Sequence, residues 1–246
     1  MNILALIPAR MGSSRFPGKP LALILGKPMI EHVYLNVRKC SLLTSVVVAT
    51  CDLEIYEYIN SIGGKAIMTK NTHERASDRC AEALLKLEEI NNLKYDIAVM
   101  VQGDEPMVNA EMLSEAITPM MSDKTIEVAN LLGDIKSLDE FRDKNCIKVV
   151  CDKNNNALYF SRQPIPNSSK KDTMKKQVCI IPFKRDFLIE YTNLRPTSYE
   201  ESESIDMLRI LENGKSIKMV PTKYESFAVD TPSDLIKVEK LMQKIN

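Results

Sequence analysis

Neither sign of charge is in excess in this sequence: its 246 residues carry 33 lysines and arginines against 33 aspartates and glutamates, a formal net charge of zero. No overall positive field favours a nucleic acid or an anionic membrane surface, so any phosphate site has to be local. Histidine is scarce, with only His32 and His73, and the six cysteines, Cys40, Cys51, Cys80, Cys146, Cys151 and Cys179, form no CxxC pair. A zinc site is not expected from such a set. The cysteines read instead as small buried or half-buried thiols in a reducing compartment. No run of about 18 apolar residues occurs, which argues against a membrane-spanning helix. The first residues enter a strand-like run with no basic n-region and no small-residue cleavage site, so a cytoplasmic protein is expected. Internal repeats, coiled-coil heptads and clear linkers are also missing.

With 44% hydrophobic residues the chain can bury a full α/β core. The stretch that organises it is residues 3–20, ILALIPARMGSSRFPGKP, where an apolar run breaks into a loop of glycines, serines and cations. Ile3 to Ile7 reads as a buried strand, and Pro8 is expected to end its hydrogen-bond ladder. Gly12 and Gly18 let the backbone turn its N–H groups towards a ligand, and Arg10, Arg15 and Lys19 supply fixed positive charge. A triphosphate needs both where water is excluded. The competing reading is a solvated basic loop. Lys19 is followed by Pro20, so GxxxxGK[ST] is absent, and so is GxGxxG; a P-loop ATPase and a dinucleotide dehydrogenase are both disfavoured.

Further along, Pro28 opens a helix with apolar residues at Ile30, Val33, Tyr34 and Val37. SVVVAT, Ser45 to Thr50, reads as a second buried parallel strand, followed by a helix from Leu53 to Ile62, the turn Gly63-Gly64 and a short strand from Lys65 to Met68. Ser77 reads as the N-cap of the next helix, with Arg75 and Arg79 near its N-terminus. From Asp96 a central strand runs into an acidic turn at its carboxyl end, where open α/β sheets place their ligands, and a helix follows over Asn109 to Met121. Beyond Glu127 a mixed sheet is expected from EVANLL, CIKVVC, ALYFS, VCIIPF and SIKMV, with helices at Lys184 to Tyr191, Glu203 to Asn213 and Pro232 to Lys244. PIPNSSKKDTMKK reads as a mobile surface loop.

Seven segments, IPARMGSSRFPGKPL, GKPMIEHVY, GGKAIMTKNTH, VMVQGDEP, IKVVCD, ALYFSR and VDTPSDL, in this order and nearly end to end, resemble the CMP-sugar-acid synthetases of the 3-deoxy-manno-octulosonate (Kdo) cytidylyltransferase type. The resemblance implies an α/β fold, a doubly wound mixed sheet of the GT-A-like nucleotidyltransferase kind with a smaller acceptor and dimerisation lobe. It implies one nucleotidyltransferase domain: residues 1–125 mainly for CTP, 126–225 mainly for acceptor and dimerisation, and 226–246 a return segment carrying a metal aspartate and the C-terminal helix. The implied reaction joins CMP from CTP to an acidic sugar with Mg²⁺ and releases pyrophosphate, for polysaccharide biosynthesis, in a homodimer; the charge balance and the lack of a long apolar run add that no nucleic-acid or membrane partner is expected. Carried over residue by residue, Ala9, Arg10, Ser13, Arg15 and Lys19 hold the nucleotide, joined by Thr69, Ser77, Arg79 and Gln102. Asp104 and Asp230 ligate the metal, and Lys19 and Arg10 act with them in catalysis. Arg162 meets the acceptor's carboxylate.

Attack of a hydroxyl on the α-phosphorus needs charge neutralisation and in-line placement, and the chain offers no obvious nucleophile dyad. Hard carboxylates suit Mg²⁺. Asp104 and Asp230 each follow an apolar run; the competing reading makes them Asx-turn or N-cap residues, Asp230 especially, before Thr231-Pro232. The sequence also departs from the resemblance. The usual HxSGT[DE]R is His73-Glu74-Arg75-Ala76-Ser77-Asp78-Arg79, and HxGIYGY is Gln177 to Phe183. An acidic-Gln pair becomes Asp206-Met207. Gln177, Ile181 and Met207 thus stand where polar groups would meet sugar hydroxyls, beside a retained Asp206, so an anionic acceptor other than Kdo itself is expected: another 2-keto-3-deoxy sugar acid, an amino-Kdo or a small phosphonate. A sugar transferase and a non-catalytic nucleotide-binding protein are the competing functions.

Overall fold

In the computed structural model the described residues are 1–13, 15–167 and 170–244. The strands are β1 Ile3–Ala9, β2 Leu23–Ile24, β3 Lys27–Pro28, β4 Ser45–Thr50, β5 Ala66–Met68, β6 Ile97–Val101, β7 Ala129–Asp134, β8 Lys148–Cys151, β9 Ala157–Ser161, β10 Lys175–Val178, β11 Ile180–Lys184 and β12 Lys218–Pro221. The α-helices are α1 Met29–Val37, α2 Leu53–Ser61, α3 Ala76–Asn91, α4 Ala110–Ser122, α5 Leu138–Arg142, α6 Arg185–Thr192, α7 Ser198–Glu203, α8 Met207–Glu212 and α9 Pro232–Gln243. The chain divides into two compact units, residues 1–114 with 225–246, and residues 115–224.

In the first unit β6, β1, β4 and β5 run in that order, each neighbouring pair parallel. All seven residues of β1 are buried, so the strand is covered on both faces and reads as a continuous apolar run. Burial of a side chain such as Leu4 or Leu6, each 0% exposed, stabilises by about 2 kcal/mol. Pro8 does not end the strand. Pairing with β6 stops at Leu6, and from there β1 is held by β4 alone through Pro8 and Ala9, an arrangement that tolerates a missing N–H. Parallel register brings the carboxyl ends of β1, β4 and β6 out along one edge, where sheets of this kind carry their ligands. Residues 225–246 return to this unit. Val229 and Val238 pack with Ile24 and Met29, and Phe16, Met107 and Phe227 lie against them.

Helix α3 begins one residue after its N-cap Arg75, so Ser77 is not the cap; it lies in the first turn with 0% exposure. Asn92, in the left-handed region at φ 47°, ends the helix.

In the second unit the strands run β12-β7-β10-β8-β9, with β12 parallel to β7 and the other pairs antiparallel. VCIIPF is not one strand: it breaks at Cys179 into β10 and β11. The expected helix over 203–213 is also divided, because Ser204 takes a left-handed φ of 54° and α8 starts only at Met207. Of the segment expected as a mobile loop, Ser168 and Ser169 lie outside the described residues, while Lys171–Thr173 forms a 3-10 turn and β10 starts at Lys175. Among the described residues no helix is long and apolar enough to cross a membrane.

Candidate active site

The loop after β1 folds on itself: the N–H groups of Ser13 and Gly18 both donate to the Met11 carbonyl at 3.0 Å. Gly18 sits at φ 73°, a conformation that costs a residue with a Cβ, and it opens the 3-10 turn Lys19–Leu21. Asp52 fixes the loop from outside, accepting the Met11 N–H at 2.8 Å. After β6 the chain turns through Gln102-Gly103-Asp104. A Cβ on Gly103 would meet the Pro8 carbonyl oxygen at 2.9 Å and Ile30 Cδ1 at 3.2 Å, so only glycine lets this turn lie against the end of β1.

The two turns and the return segment enclose a cleft of about 310 Å³. Ala9, Arg10, Ser13, Arg15, Lys19 and Gln102 line it. Arg79, Asp104 and Asp230, also predicted, line it as well. Lys19 Nζ lies 2.6 Å from Asp104 Oδ2 and 3.5 Å from Asp230 Oδ1, and Arg15 Nη2 lies 2.9 Å from Asp230 Oδ1. Two carboxylates 126 positions apart in the chain therefore converge on one ammonium. Asp230 does not serve as the cap of α9. Thr231 takes that role, in a capping box with Asp234, and the Asp230 carboxylate points to the cations. Among the described residues no group of three or more His, Cys, Asp or Glu side chains could hold a metal. A pair is nonetheless enough for Mg²⁺, which keeps waters and phosphate oxygens as its other ligands.

The wall formed by α3 carries Arg79, only 3% exposed. Its Nη1 donates to Thr69 Oγ1 at 2.5 Å and to the Lys70 carbonyl at 3.2 Å, whereas Nη2 is buried with no protein partner among the described residues. A buried guanidinium N–H without an acceptor is costly, which marks Arg79 as a buried cation with one unmet donor beside the cleft. Thr69 and Ser77 do not line the cleft: they are 7% and 0% exposed, and Thr69 acts one layer back, as the acceptor that sets the Arg79 fork. Ser14, in the cationic loop, lies outside the described residues.

Three supports escaped sequence reasoning. Ser226 Oγ donates to Glu105, both buried, and the Val229 N–H donates to the Asp104 carbonyl at 2.9 Å; these two bonds lock the return segment to the acidic turn and bring Asp230 beside Asp104. Glu82 is the third. It accepts from the Lys70 N–H at 3.0 Å and from His73, which lines the cleft, and pairs with the Lys86 ammonium at 2.7 Å. Burial raises the Glu82 pKa, but the bonds from Lys86, His73 and the Lys70 backbone prevail and hold it down to about 2. Because the folded value lies below the unfolded one, this stabilisation is fully present above about pH 4.5 and is lost as pH falls towards 2. Glu82→Gln should lower stability by about 2 kcal/mol at neutral pH. Urea titrations of both proteins should then converge as pH is taken down through that window.

The residues predicted for the acceptor lie in the second unit. Arg162 is held by backbone carbonyls, donating from Nε to Glu203 at 2.8 Å, from Nη1 to Lys144 at 2.9 Å and from Nη2 to Ser204 at 3.2 Å. A guanidinium carries five N–H donors, so this fixed fork retains capacity for a carboxylate. Gln177 donates to Asn130 Oδ1 at 2.6 Å. Asp206 is the N-cap residue of α8, and its carbonyl accepts from the Tyr191 hydroxyl at 2.9 Å. Ile181 and Met207 are core residues, 2% and 0% exposed.

Parallel α/β topology, a cationic loop and paired carboxylates at the carboxyl edge define a nucleotidyltransferase-type protein. Comparison with known proteins narrows this. A family model described as cytidylyltransferase matches residues 4–217. A 3-deoxy-manno-octulosonate cytidylyltransferase of Pelobacter propionicus is 43% identical, with 100% of this chain and 99% of that protein covered. One from Fusobacterium nucleatum is 40% identical, with 100% and 99% covered. A solved structure, CMP:2-keto-3-deoxy-manno-octonic acid synthetase complexed with CTP, superposes with a TM-score of 0.91 at 38% identity, over 100% of both chains. The chain therefore belongs to the cytidylyltransferase family, with the 3-deoxy-manno-octulosonate cytidylyltransferases as full-length relatives.

Proposed function

We propose that this protein is a Mg²⁺-dependent cytidylyltransferase that transfers CMP from CTP to a Kdo-like 2-keto-3-deoxy sugar acid and releases pyrophosphate. The observation that carries the reading is the meeting of Asp104, Asp230, Lys19 and Arg15 in one cleft. In the reaction a hydroxyl oxygen of the acceptor bonds to the α-phosphorus, the bond from that phosphorus to the bridging oxygen breaks, and the hydroxyl proton passes to solvent.

Arg10, Arg15 and Lys19 hold the triphosphate and stabilise the charge that grows on the leaving pyrophosphate. Asp104 and Asp230 fit the metal, since they already share one cation in this structure. Bound there, Mg²⁺ would supply Lewis-acid neutralisation of phosphate oxygens and a template for in-line attack. Arg79 Nη2 offers a buried donor to an acceptor atom of the nucleotide, with Gln102 lining the same cleft.

The full-length relatives named for Kdo support a Kdo-like acid; Ile181 and Met207, buried in the core, bear on the acceptor only through the sequence departure at those positions. Homodimerisation and a cytoplasmic setting belong with this reading. The exposed Leu158 and Tyr199, at 60% and 56%, are where we place the subunit contact. Incubation with CTP, Mg²⁺ and a panel of Kdo, amino-Kdo, other 2-keto-3-deoxy acids and small phosphonates, with pyrophosphate measured, tests the assignment. Release with a sugar acid is expected. Release with no acid would leave a nucleotide-binding protein, and fast turnover with Kdo would refute a distinct acceptor.

A further inference from the structure

The cleft gives the same side chains two sets of partners. Phosphate oxygens and the two carboxylates are both suitable ligands for Lys19 and Arg15, and Lys19 and a divalent cation are both suitable for the carboxylates. Lys19 Nζ, on a side chain 12% exposed, bridges Asp104 at 2.6 Å and Asp230 at 3.5 Å. This is the position a metal shared by the pair would contest. The Lys19 backbone is fixed by left-handed Gly18 before it and Pro20 within the same 3-10 turn. Exchange of partners therefore falls to the flexible four-carbon stem, whose compact ammonium can re-aim without moving the loop.

We propose that Lys19 and a divalent cation compete for Asp104 and Asp230, so that a triphosphate, by drawing Lys19 and Arg15 onto its phosphates, raises the affinity of the carboxylate pair for metal. Metal and nucleotide then favour each other's binding by the same factor, beyond the chelation that occurs between them in solution. The arrangement also disfavours a metal held without nucleotide. This inference rests on the reading of the two aspartates as metal carboxylates. Lys19 enters it as a residue that tunes the site as well as one that grips phosphate.

The test is Mn²⁺ binding to the full chain without nucleotide, read by electron paramagnetic resonance of the unbound ion. Lys19→Met should bind Mn²⁺ at least about tenfold more tightly than wild type, the change expected when one close, half-desolvated competitor is removed. Lys19→Gln should behave alike and serves if methionine disturbs the fold. Arg10→Gln removes the same charge from the same cleft and should change affinity by no more than about twofold, since a cation exposed to solvent is screened. Unchanged affinity in both Lys19 variants, or equal tightening in Arg10→Gln, would overturn the competition. Adding Asp104→Asn to Lys19→Met should erase the gain. If a tightening survives that change, the metal reading of the pair is what fails, and the inference fails with it.

Discussion

Asp104→Asn and Asp230→Asn should each lower turnover by about 10³-fold or more while leaving the folded protein within about 1 kcal/mol of wild type. The asymmetry follows from where the carboxylates sit. Their side chains are 26% and 18% exposed, and their partners are cations that the incoming triphosphate can also take. Loss of one negative charge therefore leaves no deeply buried ion alone: Lys19 keeps its other aspartate and Arg15 is 51% exposed. On the proposed reading the charge matters far more in the reaction, because the pair would hold the Mg²⁺ that supplies several kcal/mol of phosphate neutralisation, and an amide replaces a carboxylate ligand only in part. Pyrophosphate release under saturating CTP and acceptor, alongside a thermal melt, measures both quantities. Wild-type rates in either variant would refute the pair, and a collapsed melt would show that they hold the fold instead.

What the sequence made legible was whatever is encoded locally. SVVVAT, buried over five of its six residues, is β4 with the expected bounds, because a β-branched run in a parallel sheet carries its own signature. The cationic loop and the turn after β6 were legible because glycines and charges cluster there within a few residues. Other places were misread or left unread because a distant residue decides. Pro8 stays in β1 because pairing on one side has ended, which depends on the extent of a strand more than ninety residues away. Glu105 shows its role only when Ser226, 121 positions on, comes to meet it. One signal was there to be used: Arg79 falls on the buried stripe of α3 with Cys80, Ala83, Leu84 and Leu87, and an arginine on an apolar face needs a partner.

The same kind of long-range pairing sets the second large effect, in residues 115–224. Glu200 and Arg209 lie on α7 and α8, with side chains 0% and 4% exposed, and bond in parallel from Nε to Oε2 at 2.7 Å and from Nη2 to Oε1 at 2.6 Å. The guanidinium also lies 5.0 Å from the Tyr191 ring centroid, and Tyr191 stacks on Phe183. The pair spans the break that divided the expected helix over 203–213, so it joins α7 to α8 where the backbone alone does not. Glu200→Leu or Arg209→Met should each cost about 3–5 kcal/mol, because each strands one charge in the interior. For a chain of this size that is a fall of about 10 °C in thermal midpoint. The double variant removes both charges and keeps apolar volume, so it should recover most of the loss. Calorimetry of the four proteins decides: an additive double variant would mean that the two residues act separately, and a single variant within 1 kcal/mol of wild type would mean that water reaches the pair.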